Sequence, residues 1–248
     1  ISFIVYFEPW APTVSYWDCG EFIAVSHTLG VPHPPGSPFF LLLGRVASML
    51  PINEDIAFRV NILSPLSSAF AVMFLYLIIV QVVTHWRGKL ESIMGALVAF
   101  GGGVVGSLAF AFTDSHWFNA VEAEVYAFST FFTAIVVWLI LHWSEKADEK
   151  GHERYILIIA YMIGLATGLH LLNLLTLLFV ALIIYFRKYK FEWMAFGITV
   201  AITGGAFFVI HNVIVKGMPK IAAFIGVPST GFLILVVFGG MVWGVANQ

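Results

Sequence analysis

Apolar runs close to the roughly 20 residues that a helix needs to cross a bilayer recur at 60–84, 92–113, 119–142, 194–215 and 230–247. Each predicts a spanning helix. The run 155–186 is too long for one such helix and too short for two complete ones, and Gly168-Leu169-His170 interrupts it. It predicts two short helices meeting there, one of them stopping short of a full crossing. The opening Ile1-Ser2-Phe3-Ile4-Val5-Tyr6-Phe7 reads as the end of one more spanning helix, and Gln248 falls just after an apolar run. The pattern therefore predicts an all-α fold, a polytopic transmembrane helical bundle of about eight membrane segments. It forms a single transmembrane domain over 1–248, truncated at both ends, with 8–58 as the first outside loop and spanning helices in 59–248.

That loop is rich in proline (Pro9, Pro12, Pro32, Pro34, Pro35, Pro38, Pro51), which confines helix to the gaps between prolines. Two short interfacial helices fit those gaps, at 18–29 and 39–50. The second, with its block of Phe39, Phe40, Leu41, Leu42 and Leu43 ahead of Arg45, resembles a helix lying in the headgroup plane. Trp10, Tyr16 and Trp17 suit the aromatic belt at a membrane interface.

Composition removes the soluble alternative. Sixty per cent of residues are hydrophobic, a tenth are charged and the mean hydropathy is +0.94, more apolar surface than a soluble domain of this size tolerates. Charge then sets orientation. With 8–58 outside, Arg87, Lys89, Lys146, Lys150, Arg154, Arg187, Lys188 and Lys190 fall inside, and only Arg45, Arg59, Lys216 and Lys220 fall outside, as the positive-inside rule requires. The outer face then gathers Glu8, Asp18, Glu21, Glu54, Asp55, Asp114, Glu122 and Glu124. An acidic outer face suits a cation or a protonatable acceptor and argues against nucleic acid. The lone Cys19 cannot form an intramolecular disulfide. A thiol between two acids is also poorly placed to become a nucleophile, so Cys19 reads as a packing residue.

The chemistry concentrates in Trp17-Asp18-Cys19-Gly20-Glu21-Phe22 and His33-Pro34-Pro35-Gly36. On a helix, Asp18 and Glu21 share a face and can converge on a substrate or cation. The competing account is a capping box, with Asp18 as N-cap and Glu21 reaching back to it. His33 either joins that site or is a turn residue bonded to local backbone. Further along, 114–119 reads as the cap of a helix that starts near Ala120, with Glu122 and Glu124 in its first turn, where the helix dipole favours acids. Acids two apart point about 200° apart around a helix. Only one can then face a common site, unless the backbone is extended as in a metal-binding acid-x-acid loop. Glu122, Glu124, His116, His170 and Asn173 are the candidates for lining a groove or holding a metal, although no histidines show His-x-x-x-His spacing. His170 with Asn173 can equally be a packing hydrogen bond inside an apolar hairpin.

The acid pair, the His-Pro-Pro turn and Arg59 at the outer end of the next helix are similar to the multi-spanning glycosyltransferase-C superfamily. Within it, the chain most resembles protein O-mannosyltransferases and a bacterial family of membrane proteins that opens on Trp-Asp-x-Gly-Glu-Phe and His-Pro-Pro-Gly. The likeness runs from Pro12 to about Tyr185. It implies a bundle with its site on the outer face, a bacterial inner membrane location with the site facing the periplasm, and an inverting transfer of a sugar such as mannose. The donor would be a polyprenyl-phosphate-linked sugar and the acceptor a hydroxyl, such as protein Ser or Thr. Asp18 inherits the role of general base, with Glu21 and His33 beside it.

Two departures limit the transfer of roles. The better-known mannosyltransferases have adjacent acids, whereas two residues separate Asp18 from Glu21 here. Gly36-Ser37-Pro38 also stands where those enzymes supply Leu-Ala-Lys. Donor phosphate then falls to Arg59, to Arg45 in reserve, or to a divalent cation, the one cofactor that the acids would accommodate. The rival readings are a non-catalytic membrane partner of an envelope or secretion assembly and a transporter. A transporter would place charge at mid-helix or repeat its halves, and neither feature is present.

Overall fold

The computed structural model describes residues 1–8, 11–15, 17–34, 36–88 and 92–226. The apolar run expected at 230–247 lies outside the described residues, as do Pro9, Trp10, Tyr16, Pro35 and Lys89. The chain divides into two compact units, the first covering Ile1–Tyr189 and the second beginning at Lys190.

Short helices open the first unit: α1 (Ser2–Phe7), α2 (Cys19–Thr28), α3 (Pro38–Ser48) and α4 (Ile56–Asn61). Helices α2 and α3 fall within a residue or two of the expected interfacial pair. Both obey local rules. Leu29 takes the left-handed conformation at the end of α2, as helix C-caps commonly do, while Pro38 starts α3 at a position where its missing N–H costs nothing. The two lie close at Gly44, where an added Cβ would come within 2.8 Å of Ser26 Cβ on α2.

The long α5 (Leu63–Arg87) continues from α4, and the two together make the first of five stretches long and apolar enough to cross a membrane, Ile56–Arg87. The second, Ile93–Ala111, joins α6 (Ile93–Ala96), a π-helical turn (Leu97–Gly101) and α7 (Gly102–Ala111). After α8 (Asp114–Ala120) comes α9 (Val125–Lys146), the third. Helix α10 (Glu153–Thr167) breaks at Gly168-Leu169-His170 into a 3-10 turn (Leu171–Leu175) and α11 (Thr176–Lys188), which together give the fourth, Leu171–Lys188. The expected hairpin and its break point are therefore observed. In the second unit α12 (Trp193–Phe208), a π-helical segment (Val209–Val215) and α13 (Gly217–Phe224) give the fifth. The protein is an all-α polytopic membrane protein.

One expected helix is displaced. Residues 114–119 do not merely cap a helix at Ala120 but form α8, and the chain then bends before α9 begins at Val125. Glu124 is the N-cap of α9 in extended conformation, φ −131° and ψ 149°. Glu122 and Glu124 thus belong to an irregular bend and not to a first helical turn. The backbone of that bend is secured from outside: Ala11 N–H donates to Val121 O at 2.9 Å, and Asn61 Oδ1 accepts from Ala123 N–H at 3.1 Å.

A core of Phe22, Ile23, Phe40, Leu41, Val60, Val125, Phe128, Phe132 and Leu169 joins α2, α3 and α4 to the start of α9 and the end of α10. Phe40 packs edge-on against both Phe22 and Phe128. Phe39 N–H, which precedes any helical partner, donates to Gly168 O at 2.9 Å, tying α3 to the break after α10. The loop segment is thereby fixed onto one end of the bundle, where the acids are.

Candidate active site

Asp18 stands at the N-cap of α2, but its side chain makes no capping bond. Glu21 does not reach back to it either. Both Glu21 oxygens go to His33, one accepting the backbone N–H at 2.8 Å and the other 2.7 Å from the ring Nδ1. The capping box is therefore not made, and His33 is tied to an acid across the loop. A turn closed by Gly36 N–H on the His33 carbonyl holds it there, with Gly36 at φ 97°, a conformation that favours glycine. The ring rests against Phe22, centroids 5.9 Å apart.

This bond lowers the Glu21 pKa and raises that of His33. An ionised carboxylate only accepts hydrogen bonds, so Nδ1 carries the proton. That leaves Nε2 toward Asp18, 3.8 Å from Oδ2. Asp18, Glu21 and His33 each offer an atom within 4.8 Å of the others.

Across from this triad, Asp18, Glu122 and Glu124 line one cleft with Trp17, Phe118, Asn119 and Tyr126, about 170 Å³ in volume. That is below the roughly 300–1,000 Å³ of pockets enclosing drug-sized ligands, and suits a single sugar ring or phosphate. The extended bend after α8 is what lets both glutamates face it. Glu122 and Glu124 are almost fully buried. Burial raises the Glu122 pKa, with a Ser15 hydrogen bond opposing, and its Oε1 has no partner. Burial, then the charges of Asp18 and Glu122, push Glu124 up to about 7. The site thus pairs an exposed acid with buried acids that resist ionisation.

The remaining candidates lie elsewhere. Arg45 donates to the His27 carbonyl in the last turn of α2. Arg59 reaches Leu50 O at 3.3 Å and Glu54 O at 3.4 Å, and its Nε has no partner. Neither arginine lines the Asp18 cleft. His116 is buried between Phe110 and Tyr6, where desolvation lowers its pKa. His170 caps the 3-10 turn, its Nδ1 accepting from Leu172 N–H at 3.3 Å, and its ring meets Tyr126 of the cleft at 5.2 Å. Asn173 takes the packing role: it donates to Ala166 O and His170 O, both at 3.1 Å, and accepts from Thr133 at 3.0 Å.

Asn61 escapes a reading based on motifs. Fully buried, it donates to Ala11 O and Thr13 O at 2.8 and 3.0 Å, and its Oδ1 receives Ala123 N–H and, at 3.7 Å, Cys19 Sγ. One side chain thereby joins the segment before Asp18 to the Glu122–Glu124 bend. The available signal was an amide near the start of an apolar span, where polar groups need partners. Cys19 is fully buried, and burial foremost raises its thiol pKa, consistent with packing.

The family model for the protein O-mannosyl-transferase TMEM260 N-terminal domain matches residues 18–193, beginning at the first acid of this site. The chain belongs to this family. Among curated members, protein O-mannosyl-transferase tmem260 of Dictyostelium discoideum is 31% identical over 155 residues, 61% of this chain and 17% of that protein. Protein O-mannosyl-transferase TMEM260 of Mus musculus is 30% identical over 149 residues, 60% of this chain and 19% of that protein. The match therefore spans less than a fifth of either relative. No solved structure matches the chain.

Proposed function

We propose that this chain carries the catalytic membrane domain of a protein O-mannosyltransferase of the glycosyltransferase-C type, which moves mannose from a polyprenyl-phosphate donor to a Ser or Thr hydroxyl. The observation that carries the reading is the convergence of Asp18, Glu21 and His33 with Glu122 and Glu124 at one end of the bundle. Family membership and the names of the relatives support it. The site faces the periplasm of a bacterial inner membrane, so the polyprenyl tail stays in lipid while the sugar enters the cleft.

In the reaction the acceptor oxygen attacks the anomeric carbon, and the bond from that carbon to the phosphate oxygen breaks with inversion. The bonding pair leaves on the polyprenyl phosphate, and the hydroxyl proton passes to Asp18 as general base. His33, fixed by Glu21, orients Asp18 and supplies positive character beside the departing phosphate. For the phosphate itself we retain Arg59, because its carbonyl bonds are long and phosphate is a stronger acceptor than a carbonyl. The Asp18, Glu21 and His33 set also has the donors for a divalent cation, although Glu21 and His33 already bond each other.

The test is transfer from labelled polyprenyl-phosphate mannose to a Ser/Thr peptide by the full-length protein in detergent. Asp18→Asn keeps the shape and removes the basicity. It should lower transfer by about 10²–10⁴-fold while donor binding persists. A parent that binds donor and never transfers would mark a non-catalytic partner, and full activity in Asp18→Asn would remove the base.

A further inference from the structure

The opposite end of the bundle holds a second polar crevice. Two adjoining cavities, about 230 and 420 Å³, share His85, Ser144, Glu145 and Ile183 in their walls. Three helices build them, each through positions three or four apart that share a face: Gln81 and His85 on α5, Leu141 and Glu145 on α9, Ile183 and Arg187 on α11.

The lining is ordered by depth. His85, Glu145 and Arg187 lie in the last turns, while Val82, Leu141 and Ile183 lie about one turn deeper. Gln81 sits at that deeper level, six residues from the end of α5, or about 9 Å at 1.5 Å per residue. Its Oε1 and Nε2 are both buried and have no hydrogen-bond partner. An amide left so at the edge of a hydrocarbon layer is costly, and it offers both a donor and an acceptor. Above it Arg187 is held by Ser144 O at 2.7 Å and Asp148 at 2.5 Å, while Glu145 contributes the opposite charge.

The geometry points to a binding site for the headgroup of an amine-bearing zwitterionic phospholipid. Its phosphate meets Arg187 and His85, its ammonium meets Glu145, and its glycerol ester carbonyl accepts from Gln81. The upper acyl chain lies along Val82, Leu141, Ile183 and Phe186. Paired opposite charges over an apolar wall match such a lipid better than a purely anionic one, which Glu145 would repel. A choline headgroup offers no N–H to Glu145.

The full-length protein, reconstituted into vesicles of equal parts phosphatidylethanolamine, phosphatidylglycerol and phosphatidylcholine, is re-extracted and its retained lipid counted by native mass spectrometry. Phosphatidylethanolamine should be retained in excess. Gln81→Leu should cut that retention about tenfold, the loss of one hydrogen-bonding group. Glu145→Gln, at an exposed position that folding tolerates, should erase the preference for phosphatidylethanolamine over phosphatidylglycerol without lowering total lipid. Circular dichroism and a monodisperse elution profile confirm that each variant is folded. No enrichment, or unchanged retention in both variants, overturns the site. Displacement of the lipid by millimolar inorganic phosphate alone would assign the crevice to free anions instead.

Discussion

At the residue scale, Glu21 and His33 define what Asp18 can do. The Glu21–His33 bond is exposed, so it contributes little to stability. Its effect is directional, since it fixes which ring nitrogen faces Asp18. Glu21→Gln exchanges a carboxylate for an amide that holds the ring less firmly, and the raised His33 pKa should fall back toward the usual imidazole range. Transfer should then decline by less than in Asp18→Asn, and the alkaline limb of its pH profile, where His33 loses its proton, should move to lower pH. A loss as large as that of Asp18→Asn, restored by added divalent cation, would instead make Glu21 a metal ligand. Arg59→Lys keeps charge but loses the planar fork. Donor binding measured by titration should weaken about tenfold, and an unchanged Kd would confine Arg59 to holding the Leu50–Glu54 carbonyls.

At the element scale, the bend between α8 and α9 is the feature that a helical reading could not supply. Periodicity located the apolar stretch and placed its start near Ala120. It could not register that Ala123 N–H would be taken by Asn61, a residue 62 positions away, which draws this backbone out of the helix. Helices α2 and α3 and the break at Gly168-Leu169-His170 were legible because proline, glycine and run length act locally. The cleft was legible in its residue types but not in its geometry. The bend also has a thermodynamic signature. Glu124 has a folded-state pKa of about 7 against an ordinary carboxylate value of 4.5, so the folded state binds the proton more tightly. Stability is therefore greatest below the unfolded value and falls as pH rises from 4.5 through 7. At 1.36 kcal/mol per pKa unit the loss approaches about 3 kcal/mol. Thermal melts of detergent-solubilised protein should show Tm dropping between pH 5 and 7.5, and Glu124→Gln should flatten most of that drop. A wild-type Tm that rises over this interval would contradict the burial of an acid at this bend.

At the scale of the whole molecule, the first unit gathers most of its acids on the loop segment and the helix bend at one end and most of its cations at the other. Asp18 and Glu21 at the start of α2, with Glu122 and Glu124 before α9, gather at one end, fixed there by the core that joins α2, α3 and α4 to the start of α9. Arg87, Lys146, Arg187 and Lys188 occupy the last turns of α5, α9 and α11 at the other. Cations near the ends of spans are retained on the inner side during insertion, so the acidic end should face the periplasm. Single cysteines at Asn53, in the exposed turn between α3 and α4, and at Lys150, in the exposed turn after α9, report on the two ends. The native Cys19 is fully buried and should stay silent in intact cells. A membrane-impermeant maleimide should label Asn53→Cys in cells whose outer membrane has been made permeable, and should label Lys150→Cys only after the inner membrane is broken. Labelling in the reverse order would turn the acidic cleft toward the cytoplasm, and with it the side from which a lipid-linked sugar must arrive.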